Sequence, residues 1–381
     1  MPWKVQTPMS PKKEFIVLAS SGQNNISELC RRFGISRKTA YKWIGRYGAE
    51  GEPGLADKPK RPHSSPNETP LACQEAIIEI RKNLPTWGGR KIRHVLASFD
   101  FDPVPAKSTV NSILKRKGHI DPRESAKHKK WQSFEAPAPN DLWQMDFKGH
   151  FEAARKRCHP LTVLDDHSRY SICIKAGENE TRATVQSALT EVFRTFGLPK
   201  AILCDNGPPW GDPDSRYTRL TAWLIRMGIG IPYARSFHPQ TRGKVERFHR
   251  TLKADVVQYC HGLDLDECQS RFDQWRILYN TQRPHEALDM AVPASRYWVS
   301  PRAFPETLPP VEYSPGDHVR SVQDGGFVSY LGREFRVGKA FQGERVAIRP
   351  TTVDGILDVY FCDQKVSKIN LKGDREKHRV D

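Results

Sequence analysis

Three stretches decide the reading of this chain: LWQMDF at 142–147, AILCDNG at 201–207 and HPQTRGKVERFHRTLK at 238–253. The first two are apolar, strand-like runs that each contain one aspartate, Asp146 and Asp205. A carboxylate in such a run is costly unless something holds it, because a buried charge without a partner is expensive. Asp205 closes its strand and is followed by Asn206-Gly207, a sharp turn. The carboxyl end of a strand beside a turn is where α/β folds place ligands. The third stretch has helical periodicity. Val245, Phe248, Leu252 and Val256 form its packing stripe, and Glu246 falls on a different one with His249, Arg250 and Lys253. Taken singly, each acid also has a structural reading: Asp146 as a strand-edge residue, Asp205 as a turn former, Glu246 as an ion-pair partner of Arg250 or Lys253.

Outward from these stretches the pattern predicts an α/β core over 141–300. MDFKGHF, PLTVLDD and RYSICIKA read as consecutive strands, TRATVQSALTEVFRTFG as an amphipathic helix, KAILCD as a buried strand and RYTRLTAWLIRMG as a further helix. A long helix follows from about 242. Strands followed by alternating helices and strands give a mixed sheet flanked by helices. Residues 313–373 carry β-branched and aromatic clusters separated by glycines, which predicts a small all-β, SH3-like barrel or sandwich. Its Arg333, Arg336, Arg345 and Arg349 fit either DNA binding or assembly.

The front of the chain is helical and multidomain. Over 1–55, Ile26, Leu29, Cys30 and Phe33 recur at helical spacing, Gly34 breaks the pattern, and Ser36 caps a second helix packed through Ala40, Trp43, Ile44 and Tyr47. This is the helix-turn-helix pattern. Its second helix leaves Arg37, Lys38, Thr39, Tyr41 and Lys42 on or near the outward face, the face that enters a major groove. A linker over 56–70 leads to a second helix-turn-helix unit over 71–120. There Ser108 is expected to cap a helix that ends in Lys115, Arg116 and Lys117 before Gly118. A basic linker over 121–140 follows.

Charge supports this division. The 381 residues carry a formal net charge of +16. Residues 1–140 hold 25 Lys and Arg against 13 Asp and Glu, whereas the remainder hold 35 against 31. A basic front on a nearly neutral remainder suits a polyanion-binding module joined to something else. No run of 18 apolar residues and no apolar leader occurs, so the expectation is a chain without a membrane partner, located in the cytoplasm. The eight cysteines form no CxxC pair, which disfavours zinc knuckles. Cys173 and Cys204 read as buried, reduced thiols.

Three converging carboxylates repel one another unless cations neutralise them, and all-oxygen ligands favour Mg2+ or Mn2+. Two such ions about 3.5–4 Å apart activate an attacking oxygen and stabilise a leaving one in phosphodiester cleavage. No serine or tyrosine stands beside a base as an activated nucleophile. The order LWQMDF, AILCDNG, HPQTRGKVERFHRTLK resembles the DDE core of bacterial insertion-sequence transposases and retroviral integrases. VLDDHSRY at 163–170 and YNTQRPHEAL at 279–288 are similar to that group as well. The resemblance covers nearly the whole chain.

It implies an RNase H-like core in which Asp146, Asp205 and Glu246 form the catalytic triad and hold two metal ions per site. It also implies nicking at terminal inverted repeats, joining of the 3′-OH ends to target DNA, and a homo-oligomer acting on paired ends in the bacterial nucleoid. An endonuclease of the same fold without strand transfer, or a catalytically idle DNA-binding regulator, are the alternatives. Asn206 and Gly207 support the turn after Asp205. His238, Gln240 and Lys244 are expected in a loop before Glu246, contacting DNA or orienting water. His249, Arg250 and Lys253 are expected to meet phosphates, and Asp165 and Asp166 to be structural. Two features depart from the retroviral pattern. Forty residues separate Asp205 from Glu246, a longer interval, with the surplus expected in PPWGDPDSRY beside the site. Helix-turn-helix units also stand where the retroviral zinc module would be.

Overall fold

The computed structural model describes residues 9–57, 68–99, 101–120, 135–212, 216–232 and 243–373. The chain divides into two compact units, Met1–Glu68 and Thr69–Asp381. Most of the two expected linkers lies outside the described residues.

In the first unit α1 is Met9–Ser20, α2 Ile26–Phe33 and α3 Arg37–Glu50. The Asn25 side chain accepts from the Ser27 amide to start α2, and Gly34, at φ 65°, ends it. Ser36 caps α3 as expected, its Oγ accepting from the Thr39 amide at 3.2 Å. Helix α1 had no expectation, although Pro11 in its first turn and Gly22, at φ 71° just past its end, bracket it. Its Phe15 and Ile16 complete a core with Leu29, Cys30, Ala40, Trp43 and Leu55. Tyr47, expected on the packing face, is 39% exposed.

The second unit begins with α4 (Leu71–Asn83), α5 (Gly89–Leu96) and α6 (Lys107–Arg116), packed on Cys73, Ile77, Ile92, Leu96, Val110, Ile113 and Leu114. Ser108 does not cap α6. The helix starts at Lys107 behind Ala106, with no side-chain cap.

A mixed sheet follows. Strands β1 (Trp143–Phe147), β2 (Phe151–Glu152), β3 (Arg157–Asp165) and β4 (Ser171–Gly177) pair antiparallel around β3, and β5 (Ile202–Leu203) joins the far edge of β1 in parallel. Helices cover both faces. On one side α7 (Arg182–Phe196) and α8 (Arg219–Arg226) bury Leu189, Phe193, Leu220 and Leu224 against Trp143, Leu161 and Val163. On the other, α9 (Gly243–Asp255) and α10 (Leu265–Thr281) bury Val245, Phe248, Leu252, Phe272 and Trp275 against Leu164 and Ile174. A sheet buried on both faces explains why its strands read as nearly continuous apolar runs.

The C-terminal module is all-β. Strands β6 (His318–Ser321), β9 (Arg345–Pro350), β10 (Ile356–Phe361) and β11 (Gln364–Asn370) form an antiparallel sheet in the order β11-β10-β9-β6. Strands β7 (Phe327–Tyr330) and β8 (Arg333–Arg336) form a hairpin beside it. Its apolar side is continuous with the α7–α8 core. Tyr217 meets Phe341 at 5.4 Å between ring centroids, and Phe341 meets Phe361 at 5.0 Å.

All eight cysteines are unpaired. Burial pushes the Cys158 and Cys260 thiols up to about 12, so they stay protonated and unreactive at neutral pH. Cys204 is buried as expected, whereas Cys173 is only half-buried. No described helix is long and apolar enough to cross a membrane.

Phe193 is fully buried and stacks at 6.1 Å on Trp143 and at 6.1 Å on Phe304. Phe193→Ala is expected to destabilise the second unit by about 3–5 kcal/mol, measured by urea unfolding followed through tryptophan fluorescence.

Candidate active site

The parallel pairing of β1 with β5 aligns Trp143 with Ile202 and Gln144 with Leu203. Counted two residues further along each chain, past the end of β5 at Leu203, that register leads to Asp146 and Asp205. Both side chains are half-buried. Asp205 Oδ1 accepts from the Asn206 amide at 2.7 Å, which turns the chain sharply at the strand end. Gly207, expected to enable the turn, has open space where a Cβ would sit. Gly211 is the glycine the turn requires, because a Cβ there would lie 2.1 Å from Asn206 O. Trp210 then turns inward, 2% exposed, and stacks on Phe147 at 5.7 Å. Part of the surplus loop is therefore core packing behind the aspartates.

Glu246 stands exposed in the first turn of α9. Polar contacts fasten this helix to the sheet. His249 is 8% exposed, with Nε2 2.7 Å from Thr162 Oγ1. Thr162 in turn donates to Asp146 O at 2.9 Å, and it is the cross-strand partner of Asp146. With the threonine hydroxyl donating onward, the imidazole Nε2 carries the proton. His249 therefore links the helix of Glu246 to the strand of Asp146, which corrects its expected role at phosphates. The spacing already contained this: His249 lies four residues after Val245 and three before Leu252, on the buried stripe.

Lys244 is a second correction. It lies on α9 rather than in a loop, and its Nζ is 2.5 Å from Asp166 Oδ2 and 3.1 Å from Asp166 O. Burial lowers the proton affinity of this ammonium, and Asp166 opposes the shift. Asp166 also accepts from Gln144 Nε2 at 2.6 Å and from the Ala136 amide at 2.7 Å. Asp165 accepts from Ser168 Oγ at 2.6 Å, Ser168 N at 2.8 Å and Asn140 N at 2.8 Å, while burial raises its proton affinity. Both aspartates are fully buried, so the structural role expected for them holds.

Arg250 and Lys253 are exposed on α9. Lys148, just past β1, was not anticipated. Burial lowers its proton affinity, with Lys253 acting in the same sense and Asp146 opposing. Two lysines thus act on the same region as Asp146, where positive charge offsets part of the carboxylates' repulsion. His238 and Gln240 lie outside the described residues. Among the described residues no three His, Cys, Asp or Glu side chains form a metal cluster. The donor chemistry of Asp146, Asp205 and Glu246 nevertheless suits a hard cation, being all carboxylate oxygen.

In the first unit Arg37, Lys38, Tyr41 and Lys42 are exposed along α3. Thr39 is half-buried, and its hydroxyl lies 2.9 Å from Ser36 Oγ in the helix cap. Lys115 and Arg116 are exposed in the last turn of α6.

Comparison with known proteins matches residues 136–239 and 227–293 to integrase core domains. Residues 12–63 match a helix-turn-helix domain, 39–114 a homeodomain-like domain, and 317–377 the C-terminal domain of IS481 family transposases. Over 157 residues the chain is 28% identical to an uncharacterized 31.7 kDa protein of insertion element IS407 from Burkholderia multivorans, covering 41% of this chain and 55% of that one. Over 244 residues it is 25% identical to a 39.2 kDa protein of insertion element IS476 from Xanthomonas euvesicatoria, covering 63% and 69%. Over 325 residues it is 24% identical to the transposase of Tn552 from Staphylococcus aureus, covering 74% and 65%. The chain thus spans about half the length of the first of these relatives. The chain is thus similar to helix-turn-helix domains in front, to integrase core domains in the middle and to the C-terminal domain of IS481 family transposases at its end, and these relatives are insertion-element proteins and a transposon's transposase.

Proposed function

We propose that this chain is a DNA transposase that binds the terminal inverted repeats of an element, nicks them and joins the freed 3′-OH ends to target DNA as a homo-oligomer. The observation that supports the proposal is the parallel pairing of β1 with β5, whose register leads on toward Asp146 and Asp205, with the helix of Glu246 tied to the strand of Asp146 through His249 and Thr162. Asp146, Asp205 and Glu246 would hold two Mg2+ or Mn2+ ions, which supply charge neutralisation at the phosphate and an acidified water or 3′-OH. Lys148 and Lys253 hold the scissile phosphate near Asp146, and Arg250 takes a neighbouring phosphate on the same helix. Asn206 keeps the Asp205 carboxylate oriented by its amide. Lys115 and Arg116 grip the DNA backbone from α6. Arg37, Lys38, Tyr41 and Lys42 read and hold the inverted repeat from α3, with Thr39 shaping the start of that helix.

Two measurements test this reading. Asp205→Asn removes a metal-binding charge with little change of shape. Nicking of an end-bearing duplex in Mg2+ is expected to fall to background while end binding stays within about twofold. Persistent nicking at the unaltered rate removes Asp205 from the site. Lys38→Ala combined with Lys42→Ala deletes two candidate phosphate contacts. The slope of log binding constant against log salt is expected to become shallower by about 2. An unchanged slope takes α3 off the DNA backbone.

A further inference from the structure

The YNTQRPHEAL tract was read only as a familial signature, and its side chains do something specific. Asn280 docks the end of α10 on β4: its Oδ1 accepts from Ser171 N at 2.8 Å and its Nδ2 donates to Ser171 O at 2.9 Å. Arg283, three residues on, is buried, and its Nη1 reaches two elements at once. It lies 3.1 Å from Asp255 Oδ2, on the last residue of α9, and 3.0 Å from Thr86 Oγ1, in the turn between α4 and α5. Glu286 then pairs with Arg90 of α5 at 3.0 Å. One ten-residue tract therefore holds the sheet, the Glu246 helix and the second helical group together.

We propose that Arg283 and Glu286 are positioning residues, which lock the α4–α6 group to the far end of the Glu246 helix so that DNA gripped by that group is presented to the carboxylates in a fixed register. This rests on the transposase reading. Helix α9 makes the coupling mechanical. Glu246 and Asp255 are nine residues apart on one helix, about 13 Å, and a short helix transmits a shift of its end as a rigid body. The chemistry of the joint agrees. His285 is edge-on to Tyr279 at 4.8 Å, and its buried Nε2 has no hydrogen-bond partner. Burial, together with Lys91, Arg283, Arg169 and Arg247, holds its imidazole down to about 2, so the ring is neutral and packs among cations without adding another charge. The acids that offset this positive cluster are Asp255 and Glu286, the same two that make the links. A surface pair is ordinarily worth little. Here Arg90–Glu286 flanks a buried bond, so cutting both is required to free the group.

The test uses the full-length chain. Thr86→Val removes the hydroxyl partner of Arg283 and leaves Arg283–Asp255 intact, and Arg90→Glu sets two carboxylates against each other. In the T86V/R90E double variant, end binding is expected to stay within about twofold and the KM for the end duplex to be unchanged, while kcat for nicking falls about tenfold. Amide hydrogen exchange over 243–255 is expected to rise at least threefold. The charge-swapped T86V/R90E/E286R variant is expected to recover both nicking and protection. Unaltered exchange over 243–255 in T86V/R90E overturns the proposal. So does a T86V/R90E/E286R variant as impaired as T86V/R90E, because Arg90 would then act on DNA directly. Exchange decides the joint even for a preparation that nicks no DNA, and in that outcome it is the transposase reading that fails.

Discussion

The structure depends on how one short helix is held. Helix α9 carries Glu246 on its exposed side and packs with its other side on the sheet that carries Asp146. Apolar packing by Val245, Phe248 and Leu252 pins it to the sheet but is non-directional and tolerates sliding. Directional bonds remove that freedom. Lys244–Asp166 fixes the start of the helix, His249–Thr162 its middle and Arg283–Asp255 its end. Each buries polar atoms, and a buried donor or acceptor left unpaired costs about 1–3 kcal/mol, so the helix has one favourable seat.

The same logic explains the DDHSR turn. Two adjacent fully buried aspartates would be destabilising if unpaired, yet each accepts from several donors. Asp165 gathers the amides of Ser168 and Asn140, and Asp166 gathers Gln144, Lys244 and the Ala136 amide. The result stitches the entry to the core, the edge of β1 and the start of α9 into one unit. Removing one partner from a buried ion pair leaves an uncompensated charge, so Lys244 and Asp166 are better understood as one object than as two.

Surface charge is arranged differently. The exposed cations on α3, at the end of α6 and on α9 face solvent, where a polyanion can neutralise them. The C-terminal sheet shares its apolar core with α7 and α8, and its exposed Arg336 and Arg345 face solvent. Its packing ties it to the integrase core, whatever it binds.

Local pattern carried much of this molecule. Helices α2 and α3, the strand–helix alternation from Trp143 to Asp255 and the β-rich end follow from periodicity, caps and glycines, all short-range signals. The acids stood out because a carboxylate inside an apolar run is costly unless it has a use. Helix α1 escaped because its apolar run, FIVLA, gives no clear helical stripe, although Pro11 and Gly22 bracket it, and it is held by packing through Phe15 and Ile16. The roles of Lys244 and His249 escaped for a related reason. A lysine beside a glutamate looks the same in sequence whether it faces DNA or an aspartate brought near from 78 residues away, whereas the burial of His249 was in the spacing and its threonine partner was not. The sequence by itself determined which groups are available, namely three carboxylates, a basic front and the order of elements. Only the tertiary structure decided which polar groups are consumed internally and which face outward, because burial and hydrogen bonding depend on partners that meet only once the chain has folded.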